Sequence, residues 1–163
     1  MHVFPDAWQI GLISDTHGLL RDEAVDALRG SHLILHAGDV GDPEILDSLR
    51  RIAPVVAIRG NVDTESWADT LAATEVVTAA AGVAIYLIHD RKSLDLIPEK
   101  AGFAIVLSGH SHKPMQEWRR EVLYINPGSA GPRRFQLPIT VARLNLNAKP
   151  WHAEIIALKV NAD

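Results

Sequence analysis

Through the first two thirds of the chain, short runs of Val, Ile and Leu alternate with amphipathic or polar stretches, the pattern of β-α-β units around a buried sheet. The apolar runs predict strands over residues 9–14, 32–37 and 54–59, with helices over 22–29 and 43–51. Asp42 stands just before Pro43, which combines a side-chain N-cap with a proline whose missing N–H costs nothing in the first turn. The texture then changes. Residues 74–80 and 83–88 flank Gly82 as a hairpin, and a short helix over 93–100 precedes a strand over 103–108. The last third reads as strands alone, over 115–118, 122–125, 139–146 and 151–160. Two sheets packed face to face with helices outside accommodate this order. No repeat, low-complexity segment or linker interrupts it, so residues 1–163 are expected to form a single domain.

Composition narrows the chemistry. A chain of 163 residues with 47% hydrophobic and 22% charged positions is an ordinary globular chain, able to bury about 70% of its unfolded surface. The formal charge of −4 predicts no basic nucleic-acid groove. Cysteine is absent, so a metal would have to be held by His, Asp, Glu or Asn. The N-terminus lacks the basic and apolar regions of a leader, and the longest apolar run falls short of a membrane span, which makes the cytoplasm the expected location.

The stretch AIVLSGHSH, residues 104–112, ends an apolar run in two histidines at i and i+2, a spacing that aims both imidazoles to one side of an extended backbone. Other strand ends carry similar groups. DTHG supplies Asp15 and His17 after the first strand, GD supplies Asp39 after the second and GN supplies Asn61 after the third. His89 follows the hairpin strand, and His110 and His112 follow the next. Five strands thus deliver seven metal-competent side chains at their carboxyl ends, where open α/β sheets build their sites. Oxygen and imidazole donors in this number exceed one tetrahedral site and suit two ions sharing a carboxylate, with Asp39 the candidate bridge. Two divalent ions with Asp15, Asp39 and a hydroxide between them carry a single net positive charge, so an anionic phosphoryl substrate is expected.

SDTHG, HAGD, GNVD, the histidine after the hairpin strand, GHSH, NPGS and PR stand in the order and spacing of the calcineurin-like metallophosphoesterases, and the chain most resembles the small YfcE-like phosphodiesterases over nearly its whole length. The resemblance implies an α/β fold, a four-layer α/β/β/α sandwich of two mixed sheets flanked by helices. It also implies hydrolysis of a small phosphodiester by in-line attack of a bridging hydroxide on phosphorus. Asp15, His17 and His112 would hold one ion, Asn61, His89 and His110 the other, and Asp39 both. Manganese is the expected metal, with iron, nickel, cobalt or zinc as alternatives. Asn61 and Arg133 would also bind substrate. The chain departs from the family at Asp90, where glycine often follows the histidine and whose tolerance of left-handed backbone would preserve the turn. It departs again at Val62, where relatives carry a histidine or cysteine; valine cannot protonate a leaving group.

Other polar residues receive plainer expectations. His36 reads as a satisfied structural histidine, and Asp63 either orients a ligand histidine or caps a turn. Trp67 is expected to pack beneath a loop, Arg134 shares with Arg133 the potential to clamp a phosphate, and His2, His32 and His152 carry no role. Two alternatives to the phosphodiesterase remain: a phosphomonoesterase, and a non-catalytic protein-interaction scaffold of the same fold, as in the retromer scaffold subunit. Homo-oligomerisation is left open.

Overall fold

The computed structural model describes residues 1–160. Its elements run β1 (His2–Val3), β2 (Gln9–Ile13), α1 (Asp22–Leu28), β3 (Leu33–His36), α2 (Pro43–Arg50), β4 (Val55–Ala57), β5 (Thr74–Thr78), β6 (Ala84–Ile88), α3 (Pro98–Ala101), β7 (Ile105–Leu107), β8 (Met115–Arg119), β9 (Val122–Asn126), β10 (Thr140–Asn145) and β11 (His152–Ala157). They form two mixed sheets, ordered β11-β10-β2-β3-β4 and β1-β5-β6-β7-β9-β8.

The period-2 alternation of side chains explains the layers. Leu12, Leu33, Leu35 and Val56 point inward from the five-stranded sheet and meet Ile85, Leu87, Ile105, Leu107, Leu123 and Ile125 from the other. Ile13 and Ile34 point outward and are covered by Leu28 of α1 and by Ile45, Leu46 and Leu49 of α2. Asp42 caps α2 as expected, its carboxylate accepting a hydrogen bond from the Glu44 amide at 2.9 Å. On the far side Tyr86, Ile88, Val106, Val122 and Tyr124 are covered by Leu94, Leu96, Phe103 and Met115.

That far layer corrects the helix expected over residues 93–100. The segment is a 3₁₀ turn at Arg91–Ser93, an extended stretch and the single turn α3. Pro98 is the reason: it disfavours helical backbone in the residue before it, and Ile97 lies at φ −102°, ψ 103°. Two elements had no predictive signal, β1 and a 3₁₀ turn at Ser66–Thr70. β1 is two residues pairing with β5 at the sheet edge, too short for any periodicity.

The registers bring one set of strand ends together. β2, β3 and β4 are parallel, with Ile13 opposite His36 and His36 opposite Ala57. In the second sheet β6 and β7 are parallel, with Leu87 opposite Leu107. The chain therefore leaves all five strands in the same direction, over the same end of the inter-sheet core.

Candidate metal centre

Backbone hydrogen bonds continue past the strands and lock the loops that carry the polar groups. The Asp15 amide donates to the Gly38 carbonyl at 3.0 Å, His17 to Asp39 at 2.9 Å and Gly109 to His89 at 2.9 Å. Asp15, His17, Asp39, His110 and His112 all have positive φ, between 45° and 70°. Left-handed backbone costs a non-glycine residue roughly 1–2 kcal/mol, so five such residues at one strand-end rim are held there by their surroundings. Glycines make the close approaches. A Cβ on Gly60 would strike the Asp39 backbone and carboxylate, and one on Gly109 would strike the Ser14 hydroxyl and the Asp15 carboxylate.

Two groups of donors result: Asp15, His17 and His112, and Asp39, His89 and His110, the donor atoms of each lying within 4.8 Å of one another. Asp39 joins the groups. Its Oδ2 lies 3.2 Å from His89 Nε2 and 3.4 Å from His17 Nε2. Asp15 Oδ1 lies 3.5 Å from His112 Nε2 and 3.7 Å from His17 Nε2. Asn61 is exposed at the rim, where it lines a cleft together with His89.

The unused atoms test whether a metal fits. Asp15 is fully buried; its Oδ2 accepts from the Ser14 hydroxyl at 2.7 Å and the His110 amide at 3.0 Å, while its Oδ1 has no hydrogen-bond partner. The Val62 amide holds Asp39 Oδ1 at 3.0 Å, leaving Oδ2 toward the histidines. His89 donates Nδ1–H to the Ala37 carbonyl at 2.7 Å, which leaves a lone pair on a buried, unpartnered Nε2. His17 Nε2 is unpartnered too. Buried polar atoms are rarely left so, and oxygen and imidazole donors converging this way fit divalent ions.

Charges respond to the crowding. The facing carboxylates of Asp15 and then Asp39 push His17 up to about 9 against the opposing effect of burial. Burial pushes the Asp39 carboxyl up, but the facing imidazoles of His17 and His89 and the hydrogen bond from the Val62 amide override it and hold the group well below the carboxylate range. Burial lowers His89, and the Asp39 carboxylate more than reverses this. His112 is lowered, by burial first and by the Arg134 charge among the opposing and assisting neighbours.

His36 is the structural histidine expected. It is fully buried, its Nδ1 accepts from the Gly38 amide at 3.1 Å, and its Nε2–H faces the Thr16 hydroxyl at 3.0 Å, which itself donates to the Val40 carbonyl. Burial holds it down at about 4. Asp63 touches no ligand histidine; it accepts from the Val40, Gly41 and Gly60 amides and ties the GD and GN loops together. Arg133 is exposed and donates to the Leu137 carbonyl at 3.2 Å, and Arg134 is the arginine whose charge reaches His112. Asp90 does not use left-handed backbone, lying at φ −109°; it caps the next turn through the Lys92 amide, and its Oδ2 is 3.7 Å from His110 Nε2. Sequence reasoning assigned no positioning role to Ser14, or to Asn126, whose amide group donates to the Gly109 carbonyl and the Ser111 hydroxyl. Ser129 likewise fastens NPGS to the Asp15 carbonyl at 3.0 Å.

Residues 8–149 match the family model of the calcineurin-like phosphoesterase superfamily domain. The chain belongs to that superfamily. Among its curated phosphoesterase relatives, a probable metallophosphoesterase of Methanocaldococcus jannaschii is 38% identical over 74% of this chain and 67% of its own length. Another, from Methanothermobacter thermautotrophicus, is 32% identical over 90% of this chain and 91% of its own length. Among solved structures, an archaeal phosphodiesterase superposes with a TM-score of 0.75 at 21% identity, covering 91% of this chain and 99% of that one. Vps29 of Chaetomium thermophilum superposes with a TM-score of 0.74 at 18% identity, over 93% and 97%. These neighbours share the two-sheet fold. No helix among the described residues is long and apolar enough to cross a membrane.

The packing at Gly109 generates the first prediction. Gly109→Ala should destabilise the fold by about 1–3 kcal/mol and lower metal uptake, because the new methyl displaces the Asp15 carboxylate. Thermal melting with metal analysis checks it, and normal uptake would refute the close approach. Protonation generates the second. The His17 pair, with a folded value of about 9 above the ordinary 6.5, stabilises fully below pH 6.5 and fades as pH rises through 9. His36, depressed to about 4, contributes above pH 6.5 and loses its contribution as pH falls through 4. Metal-free protein should therefore melt highest near pH 6.5, while the increment in Tm from added manganese should grow from pH 6.5 to 9 as the competing His17 proton leaves. An increment that shrinks over that range would contradict the assignment of His17.

Proposed function

We propose that this chain is a metal-dependent phosphodiesterase with a binuclear centre, and that its 163 residues form a single catalytic domain acting in the cytoplasm. One observation carries the reading: a single carboxylate oxygen, Asp39 Oδ2, faces histidines from both donor groups. Asp15, His17 and His112 would hold one divalent ion and Asn61, His89 and His110 the other, with Asp39 shared and manganese the metal that we favour. When bound, the ions would supply Lewis acidity toward water and toward the phosphoryl oxygens.

The protein's own groups prepare that site. Ser14 and the His110 amide fix Asp15 so that only Oδ1 faces the donors, and the Val62 amide does the same for Asp39. The Ala37 carbonyl selects the His89 tautomer whose Nε2 is free to coordinate. Asn61, at the rim beside His89, offers an amide oxygen to the ion and amide N–H groups to a phosphoryl oxygen. The Val62 side chain is exposed and apolar, so it supplies no proton to a leaving group. The phosphodiesterase reading draws further support from the archaeal phosphodiesterase that shares the fold. Against the scaffold alternative stand the unpartnered donors, which a surface used only for docking would not require.

The substrate class is tested by kcat/KM on matched esters with manganese. A singly charged diester suits a site of small net positive charge, and without general acid assistance, worth typically about 10² to 10⁴ in rate, good leaving groups are favoured. Bis(p-nitrophenyl) phosphate should be hydrolysed at least about tenfold better than p-nitrophenyl phosphate, a threshold corresponding to about 1.4 kcal/mol. Faster turnover of the monoester would favour a phosphatase, and hydrolysis of neither would favour the scaffold.

A further inference from the structure

The far side of His110 opens into a cleft of about 630 Å³ whose wall carries Arg91, Lys92 and Arg119 against one lining carboxylate, Asp90. Met115 supplies an apolar patch in the same wall. With Glu117 contacting both arginines, the cluster holds three cations and two carboxylates, a local excess of one positive charge in a chain of net charge −4. The two arginines are also held in place. Arg91 donates to Glu117 Oε1 at 2.6 Å and stacks its guanidinium over the Tyr124 ring at 4.6 Å. Arg119 Nε lies 2.9 Å from the same Glu117 oxygen. Arg91 first, with Arg119 assisting, draws Glu117 below its ordinary range against the opposing effect of desolvation, so it stays ionised.

A guanidinium has five N–H donors, and one carboxylate oxygen shared between two arginines leaves most of them unspent. Glu117 ties the two arginines together and Tyr124 fixes the plane of Arg91, and both guanidinium-bearing residues line the cleft. Planar, pre-oriented donors of this kind recognise phosphate oxygens bidentately. Asp90 forms the boundary with the donor groups, its Oδ2 facing His110.

We infer that this cleft is a subsite for a second phosphoryl group, carried on an arm of the diester substrate and bound by Arg91 and Arg119 with Lys92 at the mouth. The inference rests on the phosphodiesterase reading of the adjacent centre and specifies its substrate: a diester with an additional phosphate on one arm, as in a nucleoside bisphosphate ester. The hydrophobic Met115 accommodates the linker between the two charges.

The test uses two compounds that differ only in that phosphate, thymidine 5′-(p-nitrophenyl phosphate) with and without a 3′-phosphate, on the manganese-loaded full chain at low and high salt. The phosphorylated compound should have a kcat/KM at least about tenfold higher at low salt, and the preference should shrink as salt screens the contact. Arg91→Gln and Arg119→Gln should each bring the ratio toward one. Arg119 is the more exposed of the two, so its variant keeps the test valid if Arg91→Gln does not fold. Calorimetric titration with thymidine 3′,5′-bisphosphate and thymidine 5′-monophosphate separates this inference from the one beneath it. Tighter binding of the bisphosphate that Arg119→Gln abolishes, without turnover of either ester, would uphold the subsite while the catalytic reading fell. Turnover of both esters with no preference and no difference in binding would overturn the subsite and leave the phosphodiesterase standing.

Discussion

Asp15 and Asp39 place two carboxylates, each almost wholly withdrawn from water, against the same His17 nitrogen. Burying one carboxylate is costly, and burying two side by side demands positive charge between or beside them. In the metal-free protein protonated His17 provides it, which is why that imidazole is held up at about 9. The balance is incomplete, since Asp15 Oδ1 and His89 Nε2 remain without hydrogen-bond partners. The arrangement is complete only when cations join it, and the loops around it serve to hold that demand in place.

The fold meets the demand by ending its strands at one rim. Parallel registers in both sheets carry β2, β3, β4, β6 and β7 outward together, and the extended ladder from Asp15 to Gly38 and from Gly109 to His89 carries the alignment into the loops. The left-handed backbone of five polar residues there is sustained by those bonds and by Asp63, which clasps three amides from two loops. Stability and site geometry are consequently one problem at this rim, as the crowding around Gly60 and Gly109 also shows.

Much of this was legible beforehand because it rests on local chemistry. Short apolar runs located the strands, Asp42 before Pro43 located the start of α2, and polar residues after the strand ends named the six side chains that the fold brings together in two groups. What escaped depended on tertiary geometry. The helix over 93–100 looked plausible from composition, yet Pro98 and the need to lay Leu94 and Leu96 on the outer sheet left only one helical turn. Arg133 and Arg134 are neighbours in sequence, and only the folded loop turns the first toward Leu137 and sets the second within electrostatic reach of His112. Asp63 could have oriented a histidine; its amide contacts became visible only once two distant loops met. Arg91 stands in the 3₁₀ turn after β6 while Glu117 and Arg119 sit on β8, so a cluster of all three has no signature along the chain.

The central claim is that Asp39 is shared between two ions, and metal stoichiometry addresses it most directly. Protein loaded with manganese and freed of excess should carry about two ions per chain by mass spectrometric metal analysis, and Asp39→Ala, if folded by circular dichroism, should lose occupancy at both positions because each ion gives up a charged donor. One ion per chain in the unaltered protein, or two retained by Asp39→Ala, would contradict the shared carboxylate.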